Sequence, residues 1–272
     1  MTPRRFSHSL VSTYLDCPRK AYYRYVENVP SPKSSALMKG SACDSAWTYH
    51  LQQKMETKED LPLADLLEVT ESAFRDDVAG QGGIAEIEWG DSTPRASLDS
   101  ALALTRTWHT QLAPLIEPTA VQVELHRSLP SGRDFIGYLD FEGTVDGREG
   151  VIGDNKTGSR RMSTSEAEKA LQPSAYGFLR GKDTSFVFAR AIDTGKSHAG
   201  ELVWTERPLP AIAWYADLLN EVEAAFEAGS FPPNPTSNLC GKYCPFLERC
   251  MPHRFVSGPI GGREPEQPDV PA

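Results

Sequence analysis

A predicted β-hairpin at residues 135–158 constrains the fold of this chain more than any other stretch. Two apolar-rich runs flank a polar turn at residues 146–150 that contains two glycines. Strand-forming residues on both sides of a glycine-rich turn are typical of a hairpin. Asp140 lies in the first predicted strand, and Asp154 and Lys156 end the second. The hairpin therefore predicts a sheet with charged side chains at one strand end.

The charged side chains of this hairpin suit a metal site. Side chains two apart on a strand share a face, so Asp154 and Lys156 point the same way. Strand pairing can place Asp140 beside them, and paired carboxylates suit a hard divalent cation such as Mg²⁺. A lysine on that face can hold a phosphate oxygen or orient an attacking water. Ordinary solvated charges are the alternative, because D-x-K alone is a common pattern.

The hairpin belongs to a series of four motifs that follow one another along the chain. They are a cysteine-containing helix at residues 17–23, the G-x-x-D and D-x-K-T-G of the hairpin (Gly137, Asp140, Asp154, Lys156), the Q-x-x-x-Y of Gln172 and Tyr176, and a C-terminal cysteine cluster. In this order they resemble the PD-(D/E)xK nuclease superfamily. The resemblance is to RecB-type nuclease domains with an iron–sulfur cluster, including phage and CRISPR-associated exonucleases. It covers about residues 7 to 252.

The resemblance implies an α/β fold and a metal-dependent DNA nuclease. The fold would have a central mixed β-sheet flanked by helices, as in restriction endonucleases. Asp140 and Asp154 would hold Mg²⁺ or Mn²⁺, which would lower the pKa of a bound water and stabilise transition-state charge. Lys156 would position that water or stabilise the same charge. Gln172 and Tyr176 would orient Lys156 or the DNA backbone.

The implied substrate is DNA that is single-stranded or has free ends. We expect an exonuclease that acts in recombination, repair, phage replication or CRISPR adaptation. A recombination or helicase partner would be a separate chain, since no G-x-x-x-x-G-K-[ST] motif occurs. Three alternatives remain: an RNA nuclease of the same fold, an inactive nuclease-like DNA-binding subunit, and a metal-stapled member of a recombination complex. Retention of Asp140, Asp154 and Lys156 together argues against inactivity.

The helix predicted from residue 35 to about residue 54 departs from the family pattern. Where RecB-type nucleases have G-x-x-x-H, this chain has Gly40 followed by Asp44. An aspartate also binds Mg²⁺ or Mn²⁺, so we expect Asp44 to be a third metal ligand. A surface helix residue is the alternative. His50 follows six residues later and faces another side of the helix, so we do not expect it to be a ligand.

The five cysteines predict a second metal site, because disulfides are rare inside cells. Cys240, Cys244 and Cys250 supply three thiolates, and a cubane cluster needs four. In the family that the chain resembles, Cys17 supplies the fourth, which implies a 4Fe–4S cluster. A four-thiolate Zn²⁺ site and unliganded cysteines are the alternatives. The first interval is one residue longer than the usual C-x2-C-x5-C, and Cys43 is expected to be a buried thiol.

The length of 272 residues fits one large domain. We expect a single nuclease domain over residues 1–256, with a helical insert before the sheet at residues 55–118. Residues 232–252 would form a cysteine-rich metal staple that completes the cluster with Cys17. Residues 257–272 are rich in proline, glycine and acids, and we expect them to form a disordered tail.

Charge and hydropathy restrict the protein's environment. The net charge of −9 argues against broad coating of nucleic acid, but not against a nuclease, because phosphate contacts depend on local patches. No apolar run approaches the ~20 residues that a membrane helix needs, and no secretory signal is recognisable. We therefore expect a cytoplasmic protein without a membrane partner. The oligomeric state is not predicted.

The remaining periodic segments predict helices and strands around the hairpin. Ser7 or Ser9 should cap a helix that is kinked or restarted at Pro18. Four apolar residues at spacings of four, beginning with Trp214, predict the core face of a C-terminal helix. The predicted helices are 61–79, 96–116, 163–179 and 210–228, and the predicted strands are 121–129, 185–192 and 201–206. Within 163–179, Pro173 predicts a kink or the start of a new helix at Gln172.

Overall fold

A six-stranded mixed sheet forms the centre of the protein, in a computed structural model that describes Pro3, residues 5–241 and residues 243–251. The strand order is β1-β3-β4-β5-β6, with β2 paired to β3. The pairs β1–β3 and β4–β5 are parallel, and the other pairs are antiparallel. The strands are β1 (Arg5–Ser7), β2 (Ile116–Ser128), β3 (Asp134–Val145), β4 (Arg148–Gly158), β5 (Thr184–Asp193) and β6 (His198–Arg207).

Helices cover both sides of the sheet, so the predicted central mixed sheet flanked by helices is confirmed. On one side, α3, α4 and α5 pack together over a core that contains Trp47, Trp108 and Phe141. On the other, α1, α7 and α8 enclose Phe135 and Tyr215. The helices are α1 (His8–Asp16), α2 (Pro18–Ala21), α3 (Ser35–Thr57), α4 (Leu63–Gly80), α5 (Pro94–Gln111), α6 (Thr164–Lys169), α7 (Gln172–Arg180), α8 (Leu209–Glu227) and α9 (Leu247–Cys250).

Two predictions concern the limits of the domain. The predicted tail at residues 257–272 lies outside the described residues. The helices α4 and α5 fall within residues 55–118, but the domain limits and the status of this region as an insert stay predictions. None of the helices in the described ranges is long and apolar enough to cross a membrane.

The N-terminal helix pair forms as its sequence predicts. The Ser7 hydroxyl accepts a hydrogen bond from the Leu10 amide at 3.3 Å and so caps the start of α1. Cys17 then adopts an extended conformation, with φ −155° and ψ 106°, because the residue before a proline is disfavoured in the helical region. Pro18 begins α2, so the break falls at the cysteine.

The prediction that Trp214 lies on the core face of the C-terminal helix is wrong. This side chain is 57% exposed, whereas Tyr215, Leu219 and Val222 are buried. A spacing of four drifts by about 40° per step on an α-helix, so Trp214 and Phe226 are separated by roughly 120° around the axis. The helix α8 is apolar on several sides, so the spacing of apolar residues wrongly included Trp214, which lies beside the core face.

The segment predicted as one helix from residue 163 to residue 179 is two helices. Ser163 and Glu166 form a capping box that begins α6. The buried guanidinium of Arg207 donates hydrogen bonds to the carbonyls of Ala167 and Ala170, where α6 ends. The helix α7 then starts at Gln172, as the proline that follows it indicated. Arg207 thereby fixes the start of the helix that carries Gln172.

Candidate active site

The candidate site lies where strands β3 and β4 separate. Their ladder runs from the turn to the pair Phe141–Gly153. Beyond this pair, the backbone amide of Asn155 donates to the Asp140 carboxylate at 2.7 Å, while β4 continues to pair with β5. A side-chain carboxylate therefore takes the place of a strand-to-strand hydrogen bond. The separation brings Asp140 to the strand that carries Asp154 and Lys156.

Asp154 is the buried centre of the site and is 1% exposed. Its Oδ1 atom accepts hydrogen bonds from Lys156 Nζ at 2.8 Å and from Gln172 Nε2 at 2.6 Å. Its Oδ2 atom lies 2.7 Å from Lys156 Nζ but takes part in no well-formed hydrogen bond within the described ranges. A buried carboxylate oxygen without a hydrogen bond is costly. The Lys156 ammonium balances the charge of this oxygen, so a bound metal ion would have to share the oxygen with Lys156 or displace it.

Gln172 and Tyr176 support Asp154 from helix α7. Gln172 Nε2 also approaches the Tyr176 hydroxyl at 3.4 Å, and that hydroxyl donates to the Tyr138 carbonyl at 2.5 Å. Gln172 contacts Asp154 directly, and Tyr176 does so only through Gln172; the predicted role of this pair in orienting Lys156 or the DNA backbone stays a prediction. Gly137 lets the helix approach, because a Cβ atom there would lie 2.7 Å from Leu179 Cδ1 and 3.1 Å from Tyr176 Cε1.

The carboxylates and the lysine share one electrostatic environment. Burial raises the pKa of Asp140 well above its usual range, the charge of Asp154 raises it further, and Lys156 partly offsets both. Burial lowers the pKa of Lys156, but the charges of Asp154 and Asp140 outweigh this and leave its pKa raised. Such mutual repulsion between carboxylates is what a divalent cation relieves.

Asp44 faces this group from helix α3, and His50 does not. Asp44 is an exposed residue of α3, but partial enclosure of its carboxyl group raises its pKa, Lys156 partly offsets the rise, and Asp154 adds to it. The His50 side chain is fully buried and lies 2.8 Å from Asp60, with its ring packed edge-on against Trp108. The structure therefore places Asp44 near the other carboxylates and gives His50 a role in packing.

Asn155 is a positioning residue that sequence reasoning missed. Its side-chain oxygen accepts a hydrogen bond from Trp108 Nε1 at 2.9 Å, and Trp108 stacks on Trp47 of α3 at 5.3 Å between ring centroids. This anchor holds the Asn155 amide in line with Asp140. The sequence could have indicated this role. Asn155 lies between Asp154 and Lys156, and the alternation of side chains along a strand puts it on the opposite, core-facing side.

Gln122 is a second residue that the sequence did not indicate. It lies across from Asp140 on strand β2 and has φ 52°, in the left-handed region that a glutamine rarely adopts. Such a conformation costs about 1–3 kcal/mol and is concentrated at functional sites. Its side chain donates to Thr48 of α3 at 3.0 Å. The residue before it, Val121, pairs with Phe141 and packs against the core cluster that contains Trp47 and Trp108. The residue after it, Val123, pairs with Leu139 and packs against a different core cluster.

The C-terminal segment docks against the helix that ends at Cys17. The Arg19 amide donates to the Pro232 carbonyl at 3.2 Å, and the Asn234 amide donates to Cys17 Sγ at 3.4 Å. The Ser237 hydroxyl donates to Asp16 at 2.7 Å. These bonds hold the two ends of the chain together beside the predicted cysteine ligands.

The four predicted ligand cysteines are neighbours in the structure. Burial raises the pKa of Cys244, and charges on Cys17 and Cys240 add to the rise. Burial also raises the pKa of Cys250, and the same thiols act on it. Cys43 is fully buried elsewhere, as predicted, and burial raises its pKa to about 12. Four thiols in one region form a donor set that suits iron–sulfur or zinc chemistry.

Metal geometry is not preformed at either place. Within the part of the chain that the structure describes, no group of three or more His, Cys, Asp or Glu side chains is arranged to hold an ion. The Lys156–Asp154 ion pair occupies the carboxylate edge at the first site. The fit of the residues to a metal therefore rests on donor chemistry, namely the carboxylates of Asp140, Asp154 and Asp44 that influence one another's charge.

Comparisons with known proteins bear on the family and the fold of the chain. The family model of the PD-(D/E)XK nuclease superfamily matches residues 5–251. Among curated proteins, no relative matches the chain. A crystal structure from Eubacterium rectale, named a putative exonuclease, is 14% identical, covers 94% of this chain and 91% of its own, and has a TM-score of 0.56. The solved protein SSO0001 is 16% identical over 91% of this chain and 96% of its own, with a TM-score of 0.34, too low to inform the fold.

Proposed function

The chain belongs to the PD-(D/E)XK nuclease superfamily, and on that premise we propose that it is a metal-dependent DNA nuclease acting on DNA ends as an exonuclease. The observation that supports this most is the convergence of Asp140, Asp154 and Lys156 where β3 and β4 separate. Resemblance to RecB-type nucleases supports DNA as the substrate and its free ends as the place of action.

Asp140 and Asp154 would hold Mg²⁺ or Mn²⁺, with Asp44 as a third ligand. The proximity of these carboxylates supports a cation there: burial raises the pKa of Asp140, and the charge of Asp154 raises it further. A divalent ion, when bound, supplies an acidified water and neutralises developing negative charge.

The protein's own side chains prepare the site for that chemistry. The raised pKa of Lys156 keeps its ammonium group protonated at neutral pH, so it can donate to a phosphate oxygen or to the attacking water. Gln172 fixes one oxygen of Asp154, and the Asn155 amide fixes Asp140. These bonds hold the carboxylates in place before substrate binds, which reduces the reorganisation needed during reaction.

We further propose that Cys17, Cys240, Cys244 and Cys250 hold a 4Fe–4S cluster, with Zn²⁺ as the alternative. The mutual effects of these thiols on pKa support a common site. Docking of the C-terminal segment on α1 and α2 brings Cys17 to that region. The cluster would have a structural role, because it would join the two ends of the chain.

Digestion of end-labelled DNA tests the proposed function. The full-length protein, with Mg²⁺ and separately with Mn²⁺, should degrade linear single- or double-stranded DNA and leave closed circles of the same sequence intact. Metal removal by a chelator should stop the reaction. Cleavage of closed circles would show that the protein is an endonuclease. Cleavage of RNA but not of DNA would show that its substrate is RNA. Failure to cleave any nucleic acid under these conditions would refute the proposal.

Asp44 and His50 should differ sharply when substituted. We expect Asp44→Ala to lower cleavage roughly tenfold to a hundredfold, the scale at which supporting groups act on metal sites, and to raise the Mg²⁺ concentration needed for half-maximal rate. His50→Gln should keep a hydrogen bond to Asp60 and cleave near the wild-type rate. The measurement is cleavage as a function of metal concentration. A folded but inactive His50→Gln protein would show that the alignment of α3 with the family pattern is wrong.

A further inference from the structure

An open cleft of about 400 Å³ lies between α1, the ends of β4 and β5, and the start of α7. This volume falls in the range of small-molecule sites, roughly 300–1,000 Å³. Lys156 and Gln172 belong both to its lining and to the candidate active site. A cavity of about 500 Å³ near Lys54 and Lys58 shares no residue with the site. The cleft of about 400 Å³ is therefore the one in which the part of a substrate next to the reacting phosphate would lie.

The walls of this cleft suit a planar ring of mixed polarity better than a phosphate. Met162, Leu171 and Phe188 supply apolar surface. Arg190 also lines the cleft, but its guanidinium is bound to Glu201 at 2.5 Å and to the Arg160 carbonyl at 3.2 Å. The charge of Arg190 is thus balanced by protein groups, and an apolar surface with a polar rim is what a nucleobase needs.

His8 and Ser12 provide the polar rim from helix α1. Their side chains are one turn apart, with His8 Nε2 at 3.2 Å from Ser12 Oγ. His8 Nδ1 is buried and has no hydrogen-bond partner in the described ranges. Burial lowers the pKa of His8 to about 4, and Lys156 adds to the effect, so the ring is neutral at pH 7. The Ser12 hydroxyl, which pairs with His8 Nε2 and also lines the cleft, keeps hydrogen-bonding capacity for the edge of a base, because a hydroxyl has one donor and two acceptor sites.

We propose that this cleft is a nucleobase subsite, which holds one unpaired base of the DNA strand next to the scissile phosphate. The proposal rests on the proposed nuclease function and deepens it. A base in a duplex must leave its stack and its partner before it can enter such a pocket. The enzyme should therefore act on single strands, or on duplex ends that have opened.

Abasic substitution tests the subsite directly. A set of single-stranded oligonucleotides, each with one abasic residue at a successive position, is digested by the full-length protein, and the cleavage rate at each bond is measured. Removal of the base that enters the cleft should slow cleavage about tenfold, which is the scale of single-base contacts in single-strand binding. The slowed bond should always lie the same number of nucleotides from the missing base. Abasic residues at other offsets should have smaller effects.

Two variants should disrupt the cleft, one by removing the polar ring atoms on α1 and one by adding bulk between α6 and α7. His8→Phe and Ala170→Phe should each lower kcat/KM on intact DNA about tenfold and abolish the offset-specific abasic penalty. Ser9→Phe is the matched control: Ser9 is the neighbouring residue on α1, is exposed and is not among the cleft residues. It should cleave intact DNA at the wild-type rate and keep the abasic penalty.

Failure of the subsite and failure of the nuclease function are distinguishable. If intact DNA is cut but no abasic position changes the rate, the subsite is refuted and the nuclease function stands. If no DNA is cut, the function fails, and fluorescence anisotropy of the same labelled oligonucleotides with Ca²⁺ decides the subsite. A position-specific loss of affinity that His8→Phe removes would support it, and equal affinity at all positions would overturn it.

Discussion

Asp154→Asn is expected to lower DNA cleavage by at least about a thousandfold, the scale of removing one essential electrostatic group. The amide is the same size as the carboxylate but gives a metal ion no charged oxygen. Its Oδ1 atom can still accept the hydrogen bonds that Lys156 and Gln172 donate to Asp154. The fold should therefore persist. Initial cleavage rates with saturating Mg²⁺ and Mn²⁺, together with the Tm of the same samples, check both statements.

Two further variants sharpen this result. Lys156→Ala should be as inactive, because it removes the protonated ammonium group next to the carboxylates. Asp146→Asn is the matched control, since it makes the same chemical change in the same hairpin. Asp146 lies in the exposed turn with φ 49°, a conformation that asparagine adopts readily. It should cleave normally. Wild-type activity in either Asp154→Asn or Lys156→Ala would remove these residues from the mechanism.

Loss of a cluster cysteine should have the second large effect, on stability. A metal bound by Cys17 and the three C-terminal cysteines would close a loop that includes most of the chain. By the loop-closure relation for crosslinks, this is worth on the order of 5 kcal/mol of unfolding free energy. Cys17→Ser or Cys250→Ser should therefore lose the metal and unfold at a much lower temperature. Thermal unfolding under anaerobic conditions measures the difference.

Metal analysis of anaerobically purified protein identifies the bound species. About four irons per chain, with a brown colour, would support the cluster, and one zinc would support the four-thiolate alternative. Cys43→Ala is the control, because Cys43 is buried in the core beside Ala101 and Thr105, away from the other thiols. It should keep the full metal content. A wild-type protein without metal and with unchanged stability would leave these cysteines without the proposed role.

The hairpin and the order of the motifs were sufficient to predict the centre of the fold. Alternation, the glycine turn and D-x-K spacing specify β3 and β4 locally, and the structure brings Asp140, Asp154, Lys156 and Gln172 into one group. The roles of these residues in catalysis stay predictions. Gln172 illustrates the limit: its motif was visible, but its contact with Asp154 depends on where α7 begins. Pro173 favours that start, and Arg207, distant in sequence, holds the end of α6 that precedes it.

Other features could not be predicted, because distant contacts decide them. Strand β1 has three residues, too few for a periodic pattern, and exists because it pairs with the start of β3. Gln122 has no intrinsic preference for positive φ, so contacts of the folded protein, such as its bond to Thr48 of α3, must hold its conformation. His8 carries no motif of its own, and its contribution depends on how α1 packs beside β4.

The pairing of the two chain ends also sets the order in which a newly made molecule can be completed. The carbonyls of Phe231 and Pro232 bind Arg19, and Ser237 binds Asp16. The first helices therefore gain these partners only after nearly all of the chain has been translated, and contacts between such distant segments form slowly. Since α1 also supplies one wall of the cleft, that wall lacks its C-terminal support in a nascent chain until the residues around Ser237 have left the ribosome.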